Sequence, residues 1–264
     1  MIPKRTIITF LGLLWMSSAA LAQNPYIIAA NGERVEVEKI LARPNGSLVV
    51  TINGQPRDVA RDQYIQAVGV KPPELDSTIA ELGGEDAEAA SQTLQEIVRT
   101  SAYQSWDVLA GQALIEAALE EKNTATASRI FDQLSTRYGD DFLEVFPDMQ
   151  ILQWNLQIAK GETDGLEEEL TQIIREGDSR RKRGMAQIAR GDLKRRRREY
   201  ESAVLDYLRT VYFYSEVPEI HAEALYKAAA TFSDIGDTGR MRSYEKTLKE
   251  TYPDSRFASK SVSN

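Results

Sequence analysis

Cysteine is absent from all 264 residues, and histidine occurs once, at His221. The first absence excludes disulfides, thiol nucleophiles and cysteine-bearing zinc sites, so burial and polar pairing alone must hold the fold. The second leaves no histidine pair for a metal. His221 stands beside Glu219 and Glu223 at a helix start and reads as a surface residue, not as the base of a Ser-His-Asp arrangement. A glycine-rich phosphate loop is missing too. "GETDGLEEEL" and "SDIGDTG" carry clustered carboxylates without the oxygen spacing of a calcium loop; they fit helix starts, where acids are favoured. Cations are outnumbered, 32 against 40 acidic residues, for a net charge of -8, which disfavours nucleic acid as a partner. No cofactor, metal, catalytic group or small-molecule substrate is indicated.

The longest apolar run is also short. In "MIPKRTIITFLGLLWMSSAALAQ" the stretch from Ile7 to Met16 falls well below the roughly 20 residues that a membrane span needs. It follows Lys4 and Arg5 and ends in Ala20-Leu21-Ala22, the order of a secretory signal peptide. Residues 1–22 are therefore expected to be removed after Ala22, leaving a periplasmic or secreted chain without a membrane span. With no cysteine at the cut, it is not a lipoprotein. Loss of Lys4 and Arg5 takes the net charge from -8 to -10.

Two regions with different periods follow. Residues 23–72 form a small β module: "ERVEVEKIL" alternates, "SLVVTI" is β-branched, and Asn31-Gly32, Asn45-Gly46 and Asn53-Gly54 are hairpin signals. Three or four strands are expected, as a meander of the SH3-like or Sm-like kind. So few residues bury only a modest core, and the module should lean on its neighbour. Asn45-Gly46-Ser47 is a glycosylation sequon, but it reads as a turn. "KPPELD" marks the boundary, since paired prolines stop a strand. Residues 73–253 then show helical periodicity. Helices are expected over Glu85–Arg99, Trp106–Glu121, Thr126–Tyr138, Asp148–Lys160, Leu166–Arg175, Arg180–Arg197, Glu199–Tyr214, Glu219–Ile235 and Arg240–Thr251. Breaks fall at Gly139, Pro147, Gly161, Gly177 and Gly236. After the first, they form pairs whose starts lie roughly forty residues apart, the period of a helical solenoid. Residues 254–264 are left as a tail.

Within the pairs, Trp106, Leu109, Ala110 and Ala113 keep one spacing and Ala127 and Phe131 another. Gly191, Ala203 and Tyr207 recur at matching offsets, as do Leu225, Ala228, Ala229 and Phe232, with Pro253 closing the last unit. This pattern resembles the tetratricopeptide (TPR) repeat. Small residues there let helix backbones approach while an aromatic ring fills the groove opposite. The Asp148 pair is degenerate, with Asn155 at the small position. The resemblance implies a mainly α, TPR-like solenoid of α-hairpins after the β module. The function it implies is an exported scaffold for another cell-envelope protein, comparable with the TPR proteins of bacterial outer-membrane assembly.

The candidate contact surface centres on "GDLKRRRREYESAVLDYLRTVYFY" from Gly191. Lys194, Arg195, Arg196, Arg197 and Arg198 are consecutive. Cations at a helix C-terminus meet unpaired carbonyls and the negative dipole end, but five exceed what capping requires. Arg180, Arg181, Lys182 and Arg183 crowd the opposite end of the same helix against local preference. An acidic partner surface, on a protein or a peptide, accounts for such a surplus, and anionic lipid headgroups would also suit it. Repeat register places Ile188, Asp192, Arg195, Arg196, Glu223, Tyr226 and Ala230 on the concave face, without the Lys/Asn clamp of TPR domains that hold a terminal carboxylate. Seven of the eleven tyrosines lie from Tyr200 to Tyr252; Tyr212, Phe213 and Tyr214 are consecutive, so at least one points outward. Asp192, the four arginines, Tyr212, Tyr214 and Tyr226 form the expected partner-binding set, since exposed aromatics beside arginines make interface hot spots. The rival is an envelope enzyme or glycan-binding protein whose site lies between the β module and the first helices; converging carboxylates there would favour it. On the scaffold reading, replacing Arg195–Arg198 by serine should leave folding nearly intact and weaken partner capture.

Overall fold

The computed structural model describes residues 24–258, 260 and 262. The expected signal peptide lies outside the described residues.

Asn53 and Gly54 join two strands with φ of 52° and 71°. Positive φ at both central residues is what a two-residue type I′ hairpin requires, and it sets Ile52 opposite Gln55. This hairpin is β4 (Leu48–Ile52) and β5 (Gln55–Val59), with β3 (Lys39–Ala42) on the other side of β4. A second antiparallel sheet has the order β2-β1-β6, from β1 (Tyr26–Ala29), β2 (Arg34–Glu36) and β6 (Tyr64–Val68). Among the described residues the strands number six, not three or four, and β1 pairs with the distant β6, which a simple meander does not do. The alternating run from Glu33 to Leu41 is the cause. It changes sheets at Val37, whose N–H donates to Pro25, while the N–H of Glu38 donates to Thr51. Ile27, Val37, Ile40, Leu48, Val50, Tyr64 and Ala67 form one core from both sheets. Burial pushes the Tyr64 hydroxyl up to about 12, and it donates to the Gly46 carbonyl at 2.6 Å.

The module does lean on its neighbour. Ser105 donates to Ala67 O (2.7 Å) and the Trp106 indole to Gly69 O (2.8 Å). Arg61 bridges Tyr64 O and Tyr138 O, and Tyr103 packs against both the strand core and the first helical core.

Eleven helices follow among the described residues. Nine fall where the periodicity expects them: α2 (Ala87–Thr100), α3 (Trp106–Glu120), α4 (Thr124–Tyr138), α6 (Asp148–Lys160), α7 (Leu166–Glu176), α8 (Arg180–Arg196), α9 (Tyr200–Phe213), α10 (Pro218–Ile235) and α11 (Thr238–Thr251). Side chains fix several starts, with Asn123, Ser179 and Asp237 accepting N–H bonds at the N-caps of α4, α8 and α11. The two unexpected helices, α1 (Leu75–Glu81) and α5 (Phe142–Val145), are too short to show a period. They are set by burial of Leu75 and of Phe142, the latter ringed by Phe131, Tyr138 and Phe146.

Packing follows chain order. α2 meets α3, α3 meets α4, and α8 to α11 each meet the next; the leading helices α3, α6, α8 and α10 also touch in succession. Two apolar clusters result, one from α1 to α6 and one from α6 to α11, and α6 serves both. Its Met149, Leu152 and Leu156 face the first, and its Trp154 and Ile158 the second. α7 packs mainly on α8 rather than on α6, so the expected pairing of the helices over Asp148–Lys160 and Leu166–Arg175 is not the main contact of either.

Gly191 shows why a small residue is needed. A Cβ there would lie 2.5 Å from Tyr207 Cε1 and 2.9 Å from Cδ1, and Tyr207 is fully buried. Gly191→Ala is therefore expected to cost about 1–3 kcal/mol through overpacking, read as a lower thermal midpoint. Gly83→Ala, where a Cβ meets nothing within 4 Å, should change stability by less than about 0.5 kcal/mol.

Candidate functional site

The basic run ends α8 as expected, and four of its five side chains reach other helices. Lys194 donates to the buried Asp206 of α9 at 2.8 Å. Arg195 pairs with Asp234 of α10 at 2.6 Å. Arg196 reaches Ala159 O at 3.2 Å, one of the unpaired carbonyls at the end of α6. Arg197 pairs with Glu167 in the first turn of α7 at 2.7 Å. Arg198, at φ 63°, closes the helix and stays exposed. Four of the five cations thus bind this chain's own oxygens, while Arg196, Arg197 and Arg198 keep exposed side chains. The cluster at the other end of α8 behaves alike in part, since Arg181 pairs with Asp148 and Arg180 with Phe213 O and Glu216.

Asp206 is the centre of this network. Besides Lys194, its carboxylate accepts from Gln187 (2.5 Å), Arg190 (2.7 and 3.0 Å) and Arg209 (3.0 Å). Arg190 also donates to Thr171, which ties α7 to α8 and α9. Burial by itself would raise the Asp206 pKa, but the bonds from Arg190 and Lys194 outweigh it and hold it below its ordinary value. Asp107 is the counterpart in the first cluster, accepting from Tyr138 and Arg137 at 2.7 and 2.6 Å. There burial wins, and its pKa is raised.

The remaining predicted residues divide. Asp192 is not open to a partner: it accepts from the Tyr207 hydroxyl at 2.7 Å and from Lys227 of α10, which also binds Glu223 at 2.9 Å. Tyr214 turns into the second core, against Gly184. Tyr212 and Phe213 point out, 71% and 66% exposed. Tyr226 is covered by Phe257, with ring centroids 5.7 Å apart. His221 is half-buried, not a surface side chain: its Nδ1 lies 2.7 Å from the Tyr252 hydroxyl, and burial lowers its pKa.

Phe257 belongs to the expected tail, several of whose described residues pack on the helices. Arg256 and Lys260 pair with Glu116 and Glu120 of α3, while Phe257 and Val262 bury against α10. The sequence did carry a signal for this: acids four apart in α3 and cations four apart in "RFASKSV".

An open cleft of about 500 Å³ does lie between the β module and α2 and α4. It is lined by Arg43, Pro44, Arg99, Tyr103, Gln133 and Arg137, with no carboxylate among its lining residues. Each arginine is already paired, with Asp58, Glu96 and Asp107 respectively. Among the described residues, no group of three or more His, Asp or Glu side chains could hold a metal ion, and no helix is long and apolar enough to cross a membrane. No family model, curated protein or solved structure matches the chain.

Two outcomes follow from this geometry. Asp206→Asn leaves three cations without their anion and is expected to cost about 3–5 kcal/mol at neutral pH. Because the folded pKa of Asp206 is lowered, its contribution is present above the unfolded value of about 3.9 and is lost as pH falls through the folded one. A melting series from pH 7 to 2 should show a shallower acid limb in the variant. Replacing Arg195–Arg198 by serine should also lower the thermal midpoint, since three inter-helix partners go; pairs this exposed contribute about 0–1 kcal/mol each.

Proposed function

We propose that this chain is an exported, TPR-like helical-repeat scaffold of the cell envelope, which holds another polypeptide against the face of its leading helices. One observation carries the reading: α3, α6, α8 and α10 touch in succession, and α3, α8 and α10 each pack against the helix that follows. Stacked α-hairpins bury a core shared between neighbours and leave one extended face for a ligand. The seating of Tyr207 against Gly191 supports the repeat register read from the sequence. The cleft beside the β module favours this reading over an enzyme, because arginines already paired within the chain line it and no carboxylates converge there.

The geometry shifts weight between the two surfaces expected to do the holding. Arg195, Arg196 and Arg197 are engaged within the fold, which leaves Arg198, Tyr212 and Phe213 as the open part of the basic-aromatic strip. The face that carries Glu116, Glu120 and Glu223 is acidic, and it is the better candidate for a polypeptide ligand.

Photo-reactive residues tested in intact cells would check this. Placed singly at Glu120 on the acidic face or at Tyr212 on the strip, they should give discrete crosslinked partners identifiable by mass spectrometry. The exposed Arg57 of β5 should give none. Absence of a crosslink from both Glu120 and Tyr212, or turnover of a substrate by the purified chain, would overturn the scaffold reading.

A further inference from the structure

After α11 the chain forms neither helix nor strand over the described residues. It advances through isolated turns, with Ser255 N–H donating to Tyr252 O and Ala258 N–H to Ser255 O. What holds it down is side-chain contact with helices far away in sequence. Arg256 and Lys260 each reach back 140 positions, to Glu116 and Glu120. The spacing matches on both sides. Glu116 and Glu120 are one helical turn apart and so share a face, and Arg256 and Lys260 repeat that interval. Between and beyond the cations are two apolar anchors. Phe257 is 8% exposed and lies on Tyr226, and Val262 is 7% exposed against Ala229 and Ala230. Arg256 and Lys260 also lie over the Phe257 ring, at 4.9 and 5.7 Å from its centroid.

These are the features of a peptide in a groove. Two charge pairs set the position, two apolar side chains fill the floor, and regular secondary structure adds nothing. The same cations act at longer range as well: burial would raise the pKa of Glu223, but Lys227 first, then Arg256 and Lys260, bring it below its ordinary value. The acids of this face are therefore answered partly from within α10 and partly by the segment.

We propose that the face between α3 and α10 is a binding groove for a polypeptide segment bearing two cations four residues apart with an aromatic residue beside the first, and that Arg256, Phe257, Lys260 and Val262 occupy it in cis until such a segment displaces them. This rests on the scaffold reading and names the chemistry of its ligand. The ligand is basic, which inverts the acidic partner expected from the arginine run. Most of those arginines serve the fold, whereas the acids of α3 face a detachable stretch of chain.

The test needs no natural partner. A fluorescent peptide of residues 255–264 is titrated by anisotropy against the full chain and against a variant lacking 254–264. The shortened chain should bind the peptide at least about tenfold more tightly, because a tethered competitor acts at an effective concentration near millimolar. A peptide with Arg256→Glu and Lys260→Glu should lose that binding, and Glu116→Lys with Glu120→Lys in the shortened chain should restore it. Should the shortened chain fail to fold by circular dichroism, the full-length variant Arg256→Ser, Phe257→Ser, Lys260→Ser takes its place. Equal affinity for occupied and vacated chains, no binding to a folded vacated chain, or no rescue by charge exchange would each overturn the proposal. These results are separable from the crosslinking outcome. Peptide binding without a cellular crosslink would leave the groove and remove the scaffold; crosslinking at Tyr212 without peptide binding would do the reverse.

Discussion

The ring of Tyr207 on α9 lies against Gly191 of α8, where a Cβ would come within 2.5 Å of it. That single approach has consequences beyond two helices. With the ring buried, its hydroxyl is carried to Asp192, and burial together with that carboxylate raises the phenol's pKa well above its ordinary value, so it remains a neutral donor. Asp192, fixed in this way, takes Lys227 from α10, and Lys227 takes Glu223. Lys227 is held charged although it is largely buried, its pKa raised because Asp192 and Glu223 outweigh the burial that would lower it. One steric allowance thus sets the relative position of three helices and places Glu223 on the face that the residues after α11 cover.

Buried ions are an uneven resource in a chain that has no disulfide. Taking a carboxylate out of water costs several kcal/mol and is offset only when its partners are complete. Asp206 has more partners than it needs, with two arginines, a lysine and a glutamine around it. Asp107 has fewer, and its raised pKa means that its contribution to stability is greatest at low pH and falls as pH rises through the folded value. The contributions of these two carboxylates therefore change with acid in opposite directions. Both networks join a helix to its successor, Asp107 from α3 to Arg137 and Tyr138 of α4, and Asp206 from α9 to α8. Ionic pairing thus specifies which helices are neighbours while apolar burial supplies most of the cohesion.

Features encoded within one turn of chain were legible in the sequence. Asn53-Gly54 gave its hairpin, the glycine and proline breaks gave the helix ends, and the apolar period gave nine helices to within a few residues. The Gly191 and Tyr207 offsets were legible too, since a fixed spacing on two adjacent helices is still nearly local. Elements too short to repeat were not: α1 and α5 are set by the burial of Leu75 and Phe142, which so few residues cannot show as a period. The strand switch at Val37 was hidden because alternation is the same on either sheet. Above all, the fate of a charge was illegible. Arg195, Arg196 and Arg197 read as surplus when counted along the chain, and as partners of Asp234, Ala159 and Glu167 once helices meet.

That last failure reverses the electrostatic picture. Counting by sequence makes the chain an acidic body with a basic patch; counting by contact gives most of that patch partners on neighbouring helices, Asp206, Asp234, Ala159 O and Glu167. What is left to a ligand is the acidic remainder, and on α3 it is held in place by a helix with nothing to rearrange. A segment that lies there by side chains alone has little cooperative structure to lose on leaving, whereas a helix would have to break backbone hydrogen bonds. On the proposed reading, an acidic surface carried on a helix meets a basic stretch held by side chains alone. That asymmetry is why exchange for a segment of like chemistry is the economical use of the face, and why its specificity should lie in the spacing of two cations rather than in their number.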